Sequence, residues 1–284
     1  MKVLVLGGYG LVGFTVAETL LQQEGVEVVL AGKDGRRLDN ARAKHYNFDL
    51  SFYDTLKKIV MRHEPDFIVN CAWPQPGFSF REYSSEILPI IGGLLELHRV
   101  EGLSVKRVFH LSSLDTMFMN TQTPEELCSY VGEQFFSFLR EGTIIRLPSV
   151  TGNRVEYRKD FLSTVIVELL TKGVVRTSNR DSTFNILHVD DAAQFIVSVI
   201  NEPNPKHVYN VAGVNCNLGK VFDTLFKVIG HGELDEIGIT TDHSVDLSDK
   251  RIDFKGKTKF TKTTLTKLVD WRKEKLIEAG YKEV

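Results

Sequence analysis

Three glycines directly after the first apolar run constrain the fold of this chain more than any other feature. The run Lys2–Leu6 has the character of a buried strand, and the glycines then lead into the helical pattern of Leu11–Gln23. Gly7 permits a tight turn, Gly10 lets the backbone approach a phosphate, and Gly13 lets the helix pack closely against the strand. This spacing predicts a dinucleotide pyrophosphate bound at the free N–H groups of the helix's first turn. The residues expected at this turn are Gly7, Tyr9, Gly10, Leu11, Val12 and Gly13.

Short β-rich runs alternate with longer helical stretches through the first half of the chain. Parallel strands need crossover connections, which helices usually fill, so this alternation predicts a parallel sheet. The expected fold class is α/β, a doubly wound parallel sheet of the Rossmann type with a small C-terminal substrate lobe. We expect a dinucleotide-binding domain over residues 1–160, with residues 161–284 completing the sheet and forming the lobe. A helix is also predicted over Asp34–Ala43.

Composition narrows the classes of partner. The 284 residues carry a formal net charge of −2 without a block of one sign, so we expect no nucleic-acid partner. No apolar run reaches the ~20 residues of a membrane span. Three cysteines without metal-ligand spacing predict free thiols in a reducing compartment, a cytoplasmic location and no metal site. The expected partner is a small-molecule substrate, and a homodimer is left open.

The end of the second predicted strand bears on the choice of cofactor. A carboxylate there would bind the ribose hydroxyls of NAD, whereas this chain has Lys33, Arg36 and Arg37 around Asp34. The three cations are suited to a 2′-phosphate, which favours NADP(H). NAD stays the alternative, because Asp34 opposes this interpretation and the run also fits an ordinary solvated surface.

Several further motifs resemble those of the extended short-chain dehydrogenases/reductases, a family of NAD(P)-dependent epimerases, dehydratases and sugar reductases. The resemblance covers Met1 to about Ile229. The motifs that carry it, besides the glycine turn, are Phe48-Asp49-Leu50, Asn70-Cys71-Ala72, His110-Leu111-Ser112-Ser113, Arg146-Leu147-Pro148-Ser149-Val150-Thr151-Gly152 and His188-Val189-Asp190-Asp191-Ala192-Ala193. The resemblance implies that Asp49 and Leu50 lie near the adenine and that Cys71 and Ala72 lie near the cofactor. It also implies that Ser113 contacts the substrate.

The same resemblance places Tyr130 at the catalytic tyrosine of the family's Tyr-x-x-x-Lys motif. Residues four apart share one helix face, so both side chains of such a motif can point at the nicotinamide ribose. A tyrosine transfers protons poorly at neutral pH unless a cation assists it. This chain has Gln134 in place of the lysine. Gln134 can hydrogen-bond the ribose but brings no charge.

Other departures concern the substrate side. Phe184 stands where many nucleotide-sugar enzymes have an arginine for the diphosphate, and we consider Arg154 and Arg180 as replacements. Trp73 follows the fourth strand and is predicted to line the substrate pocket. Asp115 is an alternative proton carrier beside Ser113.

The leading hypothesis is an atypical NADP(H)-dependent oxidoreductase or epimerase acting on a carbonyl/alcohol centre of a sugar or nucleotide-sugar-like substrate. Tyr130 would move the proton and Ser113 would polarise the oxygen. The rival is a cofactor-binding sensor or scaffold with little catalysis, because the lysine is replaced.

Overall fold

Strands and helices alternate along the chain, as the sequence predicts. The computed structural model describes residues 1–33, 37–72, 79–97, 99–100, 102–118, 123–153, 160–177, 179–236 and 242–281. The strands are β1 Lys2–Leu6, β2 Glu27–Gly32, β3 Ala43–Asn47, β4 Phe67–Asn70, β5 Arg107–Ser113, β6 Gly142–Leu147, β7 Ser149–Thr151, β8 Val174–Thr177, β9 Thr183–His188, β10 Val208–Ala212, β11 Val214–Asn217, β12 Glu233–Glu236, β13 Asp242–His243 and β14 Phe254–Lys255. The helices are α1 Leu11–Leu21, α2 Tyr53–His63, α3 Phe80–Glu86, α4 Leu88–Leu97, α5 Pro124–Phe136, α6 Phe161–Lys172, α7 Val189–Ile200, α8 Leu218–Ile229 and α9 Lys262–Glu278, and a 3₁₀ turn covers Leu114–Phe118.

These elements form two compact units. The first comprises Met1–Leu147 and Ala192–Val211, and the second comprises Pro148–Asp191 and Ala212–Val284. The predicted division into a cofactor-binding domain over 1–160 and a substrate lobe over 161–284 concerns function and stays a prediction.

A parallel sheet forms the centre of the first unit. Its strands run in the order β3-β2-β1-β4-β5-β6-β10. The paired strands are parallel throughout this order. The chain winds outward in both directions from β1 and β4, so their carboxyl ends mark the topological switch point, where ligands bind in open α/β sheets. The predicted doubly wound Rossmann fold is confirmed.

The central strands are buried almost completely, because helices cover both faces of a parallel sheet. Val3, Leu4, Val5 and Leu6 of β1 are all fully buried. One hydrophobic cluster combines strand residues such as Leu4 with side chains of α2, α4 and α5. The sheet edge that carries the glycine turn is therefore built on a rigid, apolar base.

One predicted helix is wrong. Within Asp34–Ala43, the described residues 37–42 are not helical, and β3 begins at Ala43. The Arg42 guanidinium explains the difference, because it donates to the carbonyl oxygens of Leu21 at 2.5 Å and Gln23 at 2.7 Å. It thereby satisfies carbonyls at the end of α1 and leads the chain into a strand that pairs with β2.

The second unit has its own strands and core. Strand β9 pairs antiparallel with β11 and parallel with β7 and β13, while β8 pairs with β12. Helices α6, α8 and α9 supply most of a second hydrophobic cluster, which includes Phe222 and Leu265. Buried Arg272 of α9 donates to Ser163 Oγ at 2.5 Å, which ties α9 to α6.

Candidate cofactor and active site

The glycine turn lies at the carboxyl end of β1. Gly7 has a φ of +67°, which favours glycine. The Gly10 N–H donates to the Gly7 carbonyl at 2.9 Å, and the Gly8 N–H donates to the Ala31 carbonyl at 3.1 Å. A Cβ on Gly7 would lie 2.7 Å from Ala72 N, and a Cβ on Gly13 would lie 2.4 Å from Gly7 O. The close packing of this turn therefore excludes side chains at Gly7 and Gly13.

Helix α1 begins with an N-terminus suited to an anion. Its N-cap, Gly10, offers no side-chain hydrogen bond, and the first turn contains no acidic residue. The N–H groups of a helix's first turn have no partner within the helix, and the helix dipole favours negative charge there. The residues present therefore fit a pyrophosphate, with the backbone of Leu11 to Gly13 as donors. Tyr9 and the Leu11 side chain are buried and Val12 is half-buried, so these side chains pack beneath the turn.

Lys33 follows β2 and connects three elements at this edge. Its Nζ lies 3.2 Å from Asp49 Oδ2, beyond β3, and 3.1 Å from Glu86 Oε2 at the end of α3. Burial would lower the pKa of Lys33, but the hydrogen bonds that its ammonium group donates to Glu86 and Asp49 raise this pKa. Burial would raise the pKa of Asp49, but the hydrogen bonds that Asp49 accepts from Ser51 and Lys33 lower it. The neighbouring Leu50 is buried in the core. Arg36, also predicted here, lies outside the described residues.

Two buried polar side chains meet where β4 and β5 end. Asn70 Oδ1 accepts the Ala72 N–H at 3.2 Å, which directs Asn70 Nδ2 to His110 Nδ1 at 3.1 Å. An amide nitrogen is only a donor, so His110 Nδ1 accepts and the imidazole is neutral. Burial lowers the pKa of His110 to about 4, which agrees with this. Cys71 and Ala72 are buried beside the pair, and Trp73 lies outside the described residues.

Ser113 ends β5 and bonds to Asp115. Its Oγ donates to Asp115 Oδ2 at 2.9 Å and accepts the Asp115 N–H at 3.2 Å. The hydroxyl proton therefore points at a carboxylate that is only part-buried. The structure brings together these two candidate proton carriers, which were predicted as alternatives.

Tyr130 and Gln134 lie on α5, four residues apart on one side of the helix. Tyr130 is half-buried, whereas Gln134 is exposed.

The adjoining residue, Glu133, is a polar group that sequence reasoning missed. Its carboxylate, only 4% exposed, accepts from Arg146 Nη2 at 2.7 Å. It also accepts from Ser112 Oγ at 2.5 Å and from Thr116 Oγ1 at 2.7 Å. Glu133 thus joins α5 to β5, β6 and the 3₁₀ turn. The sequence feature that could have indicated a buried carboxylate is Arg146, the single charged residue of the strand Gly142–Leu147.

In the second unit, the described side chains at the positions predicted to bind the substrate contact neighbouring side chains of the same unit. Arg180 donates to Asp223 Oδ1 at 2.5 Å, and this ion pair is partly exposed. Phe184 stacks on Phe161 with a centroid distance of 5.2 Å and also contacts the His243 ring at 5.0 Å. Arg154 lies outside the described residues. The aromatic side chain at position 184 therefore belongs to a small ring cluster.

A doubly wound sheet, a glycine turn at its switch point and an uncapped helix N-terminus define a dinucleotide-binding protein of the Rossmann class. Residues 3–135 match the model of the NAD dependent epimerase/dehydratase family. This match to the N-terminal part of the chain confirms the resemblance found in the sequence and the expectation of an NAD(P)-dependent enzyme.

Solved structures of bacterial enzymes share this fold, and three of them illustrate the similarity. The enzyme WbmG of Bordetella bronchiseptica, in complex with NAD and UDP, gives a TM-score of 0.76 at 18% identity, covering 96% of this chain and 94% of that one. The UDP-glucuronic acid 4-epimerase of Bacillus cereus, with NAD, gives 0.79 at 16%, covering 97% and 99%. The dTDP-glucose 4,6-dehydratase of Bacillus anthracis, with NAD, gives 0.77 at 16%, covering 96% and 97%. A search of the curated proteins finds no match.

Two further features concern the described part of the chain. None of its helices combines the length and apolar character that crossing a membrane requires. Within the same residues, no three His, Cys, Asp or Glu side chains are grouped as a metal ion would need.

Proposed function

We propose that this protein is an oxidoreductase or epimerase that uses a nicotinamide dinucleotide to act on a carbonyl/alcohol centre of a sugar or nucleotide-sugar-like substrate. The observation that carries the proposal is the glycine turn below the uncapped N-terminus of α1, at the switch point of the sheet. When bound there, a nicotinamide dinucleotide supplies hydride transfer. The family's reaction type and the solved nucleotide-sugar enzymes support the substrate class.

NADP(H) is the proposed preferred form of the cofactor. Lys33 supports it, because its ammonium group follows β2 directly and is 58% exposed. Arg37 follows within a few residues. Burial is the main cause that lowers the pKa of His45 near the turn, and the positive charge of Arg37 also lowers it, so this charge acts near the turn. The similar structures above hold NAD, which makes NAD the alternative.

Ser113 and Tyr130 are the proposed groups for proton handling. The Ser113 hydroxyl can turn its proton from Asp115 to a substrate oxygen, while Ser113 Oγ still accepts the backbone N–H of Asp115. Tyr130 would donate or accept the substrate proton. Asp115 is a second candidate for this role, because its carboxylate already accepts the Ser113 proton at 2.9 Å.

One observation favours the rival function, a dinucleotide-binding sensor or scaffold with little catalysis. Gln134 is exposed and neutral where the resembled motif has a lysine. Without that cation, activation of Tyr130 depends on other groups.

A homodimer is proposed through the outer face of α5. Exposed Leu127, half-buried Val131 and exposed Phe135 follow one another at helical spacing on α5, and Phe138 lies two residues beyond its end. Phe138 is 81% exposed. Sedimentation of the wild-type chain should show a dimer, and Phe135→Glu should shift it to monomer. A wild-type monomer at micromolar concentration would contradict this proposal.

The function is tested by binding and turnover on the same preparations. We expect NADPH to bind more tightly than NADH, and a panel of sugars and nucleotide sugars to contain a compound that is turned over. Tyr130→Phe should remove most activity while leaving NADPH affinity unchanged, and Gln134→Lys should increase activity. Full activity of Tyr130→Phe with loss of activity in Asp115→Asn would assign proton transfer to Asp115. Tight NADPH binding without turnover in the wild type and in Gln134→Lys would support the sensor or scaffold.

A further inference from the structure

Lys33 is held by two carboxylates at the edge of the sheet where the cofactor's adenosine end is expected. A Cβ on Gly32 would lie 3.7 Å from Gly7 Cα, so the end of β2 packs directly against the glycine turn. The Phe48 N–H donates to the Gly32 carbonyl at 2.9 Å, which brings the end of β3 to the same place. Lys33 and Asp49 follow these two points in the chain.

The two carboxylates differ in what else holds them. Asp49 Oδ1 accepts the Ser51 N–H at 3.0 Å and the Ser51 hydroxyl at 2.7 Å, so its position is fixed from its own loop. For Glu86, the described contact is the ammonium group of Lys33 at 3.1 Å. Glu86 comes from α3, whose start is fixed by a capping box at Ser79. A helix therefore carries this carboxylate to the cation.

We propose that Glu86 is a specificity-determining residue, which competes with the 2′-phosphate of NADP(H) for the ammonium group of Lys33. This inference rests on the proposed cofactor site. A 2′-phosphate beside Lys33 would meet the negative charges of Glu86 and Asp49, and one of these ion pairs must open to admit it. Glu86 is the one that opens, because Ser51 holds Asp49. A 2′-hydroxyl, as in NAD(H), requires no such exchange.

The size of the effect follows from Coulomb's law. A doubly charged phosphate about 5 to 7 Å from a carboxylate in a water-like dielectric gains about sevenfold to sixteenfold in affinity when that carboxylate is neutralised without salt. Screening at ionic strengths of about 0.1 to 0.01 M reduces this gain to about threefold to tenfold. The groups are exposed, so salt screens the interaction and the gain shrinks at high ionic strength.

The test compares dissociation constants of NADPH and NADH for wild type, Glu86→Gln, Lys33→Gln and the double variant, at low and high salt. Glu96→Gln is the matched control, because it removes the same charge from an exposed site on α4. Glu86→Gln should tighten NADPH about threefold to tenfold, change NADH less than twofold, and give a smaller gain for NADPH in the Lys33→Gln background, where only the direct repulsion between Glu86 and the phosphate remains.

Three results would overturn the proposal. If Glu86→Gln changes the NADPH-to-NADH ratio no more than Glu96→Gln, Glu86 has no part in specificity, although the cofactor site stands. If the gain persists undiminished without Lys33, the competition for this cation is wrong. If wild type binds neither dinucleotide by calorimetry, the proposed cofactor function fails, and this inference fails with it.

Discussion

Removing the Glu133 carboxylate should destabilise the first unit strongly. In Glu133→Ala, Arg146 loses its bond at 2.7 Å and Ser112 loses its acceptor, while Thr116 keeps the Ser113 carbonyl at 2.7 Å as its acceptor. Breaking a buried ion pair on one side typically costs about 3–5 kcal/mol. Arg146 is 20% exposed and also donates to Asn210 at 3.3 Å, so water and this amide compensate in part. We therefore expect a loss of about 3 kcal/mol in the free energy of unfolding.

Urea unfolding followed by circular dichroism measures this loss, and hydrogen exchange assigns it to a unit. Exchange should accelerate most in peptides covering β5 and the 3₁₀ turn, because Ser112 and Thr116 belong to them. Gln134→Ala is the matched control, since it changes the next residue of the same helix at an exposed site and should cost less than about 0.5 kcal/mol. Glu133→Ala combined with Arg146→Met should cost less than the sum of the two single changes. A loss below about 1 kcal/mol in Glu133→Ala would refute the reasoning.

The remaining predictions concern the glycine turn and the buried histidine. Gly10→Val should abolish binding of both dinucleotides without unfolding the chain. The fold should persist because Gly10 has φ −79° and ψ 165°, which valine readily adopts. Normal NADPH binding by a folded variant would place the cofactor elsewhere. Gly13→Ala should cost about 2–3 kcal/mol of stability, because its Cβ would lie 2.4 Å from Gly7 O. Gly92→Ala has open space around its Cβ and should stabilise the protein by about 0.5–1 kcal/mol. Equal unfolding midpoints of the two variants would contradict this. The pKa of His110 falls from 6.5 to about 4 on folding, so His110 takes up a proton more readily in the unfolded chain. The free energy of unfolding should therefore fall by about 2 kcal/mol from pH 7.5 to pH 5, and His110→Gln should lack that part of the loss. An identical pH dependence in both proteins would show that His110 does not cause it.

The fold followed from local signals that agree with one another. The apolar run at Lys2–Leu6, the glycines and the alternation of strands with helices each depend on neighbouring residues only. The helix predicted over Asp34–Ala43 failed for a long-range reason. Arg42 bonds to carbonyls near the end of α1, about twenty residues earlier in the chain, and β3 is needed to pair with β2. Such a contact leaves no periodic pattern in the sequence.

The candidate site was less accessible to sequence reasoning, because its polar groups are defined by their partners. The sequence presents Lys33 as one of three cations close together in the chain. In the structure it forms ion pairs with Asp49 and Glu86, which lie 16 and 53 residues further along. The resembled Tyr-x-x-x-Lys motif assigns a role to Tyr130 and Gln134 and predicts nothing for Glu133. Which of two adjacent helix residues faces the core depends on the packing of α5 against β5 and β6.

The pairing of these side chains separates affinity from specificity. Lys33, Ser113 and Asn70 already hold protein partners, so a ligand that binds them exchanges one hydrogen bond for another, and the net gain is small. The first-turn N–H groups of α1 have no partner within the helix and face no acidic residue of that turn, so an anion bound there displaces only water. Substitutions at the glycine turn should therefore weaken NADPH and NADH by similar factors. Substitutions in the Lys33 cluster should change the dissociation constant of NADPH more than that of NADH and so alter their ratio, because discrimination is a difference between two affinities.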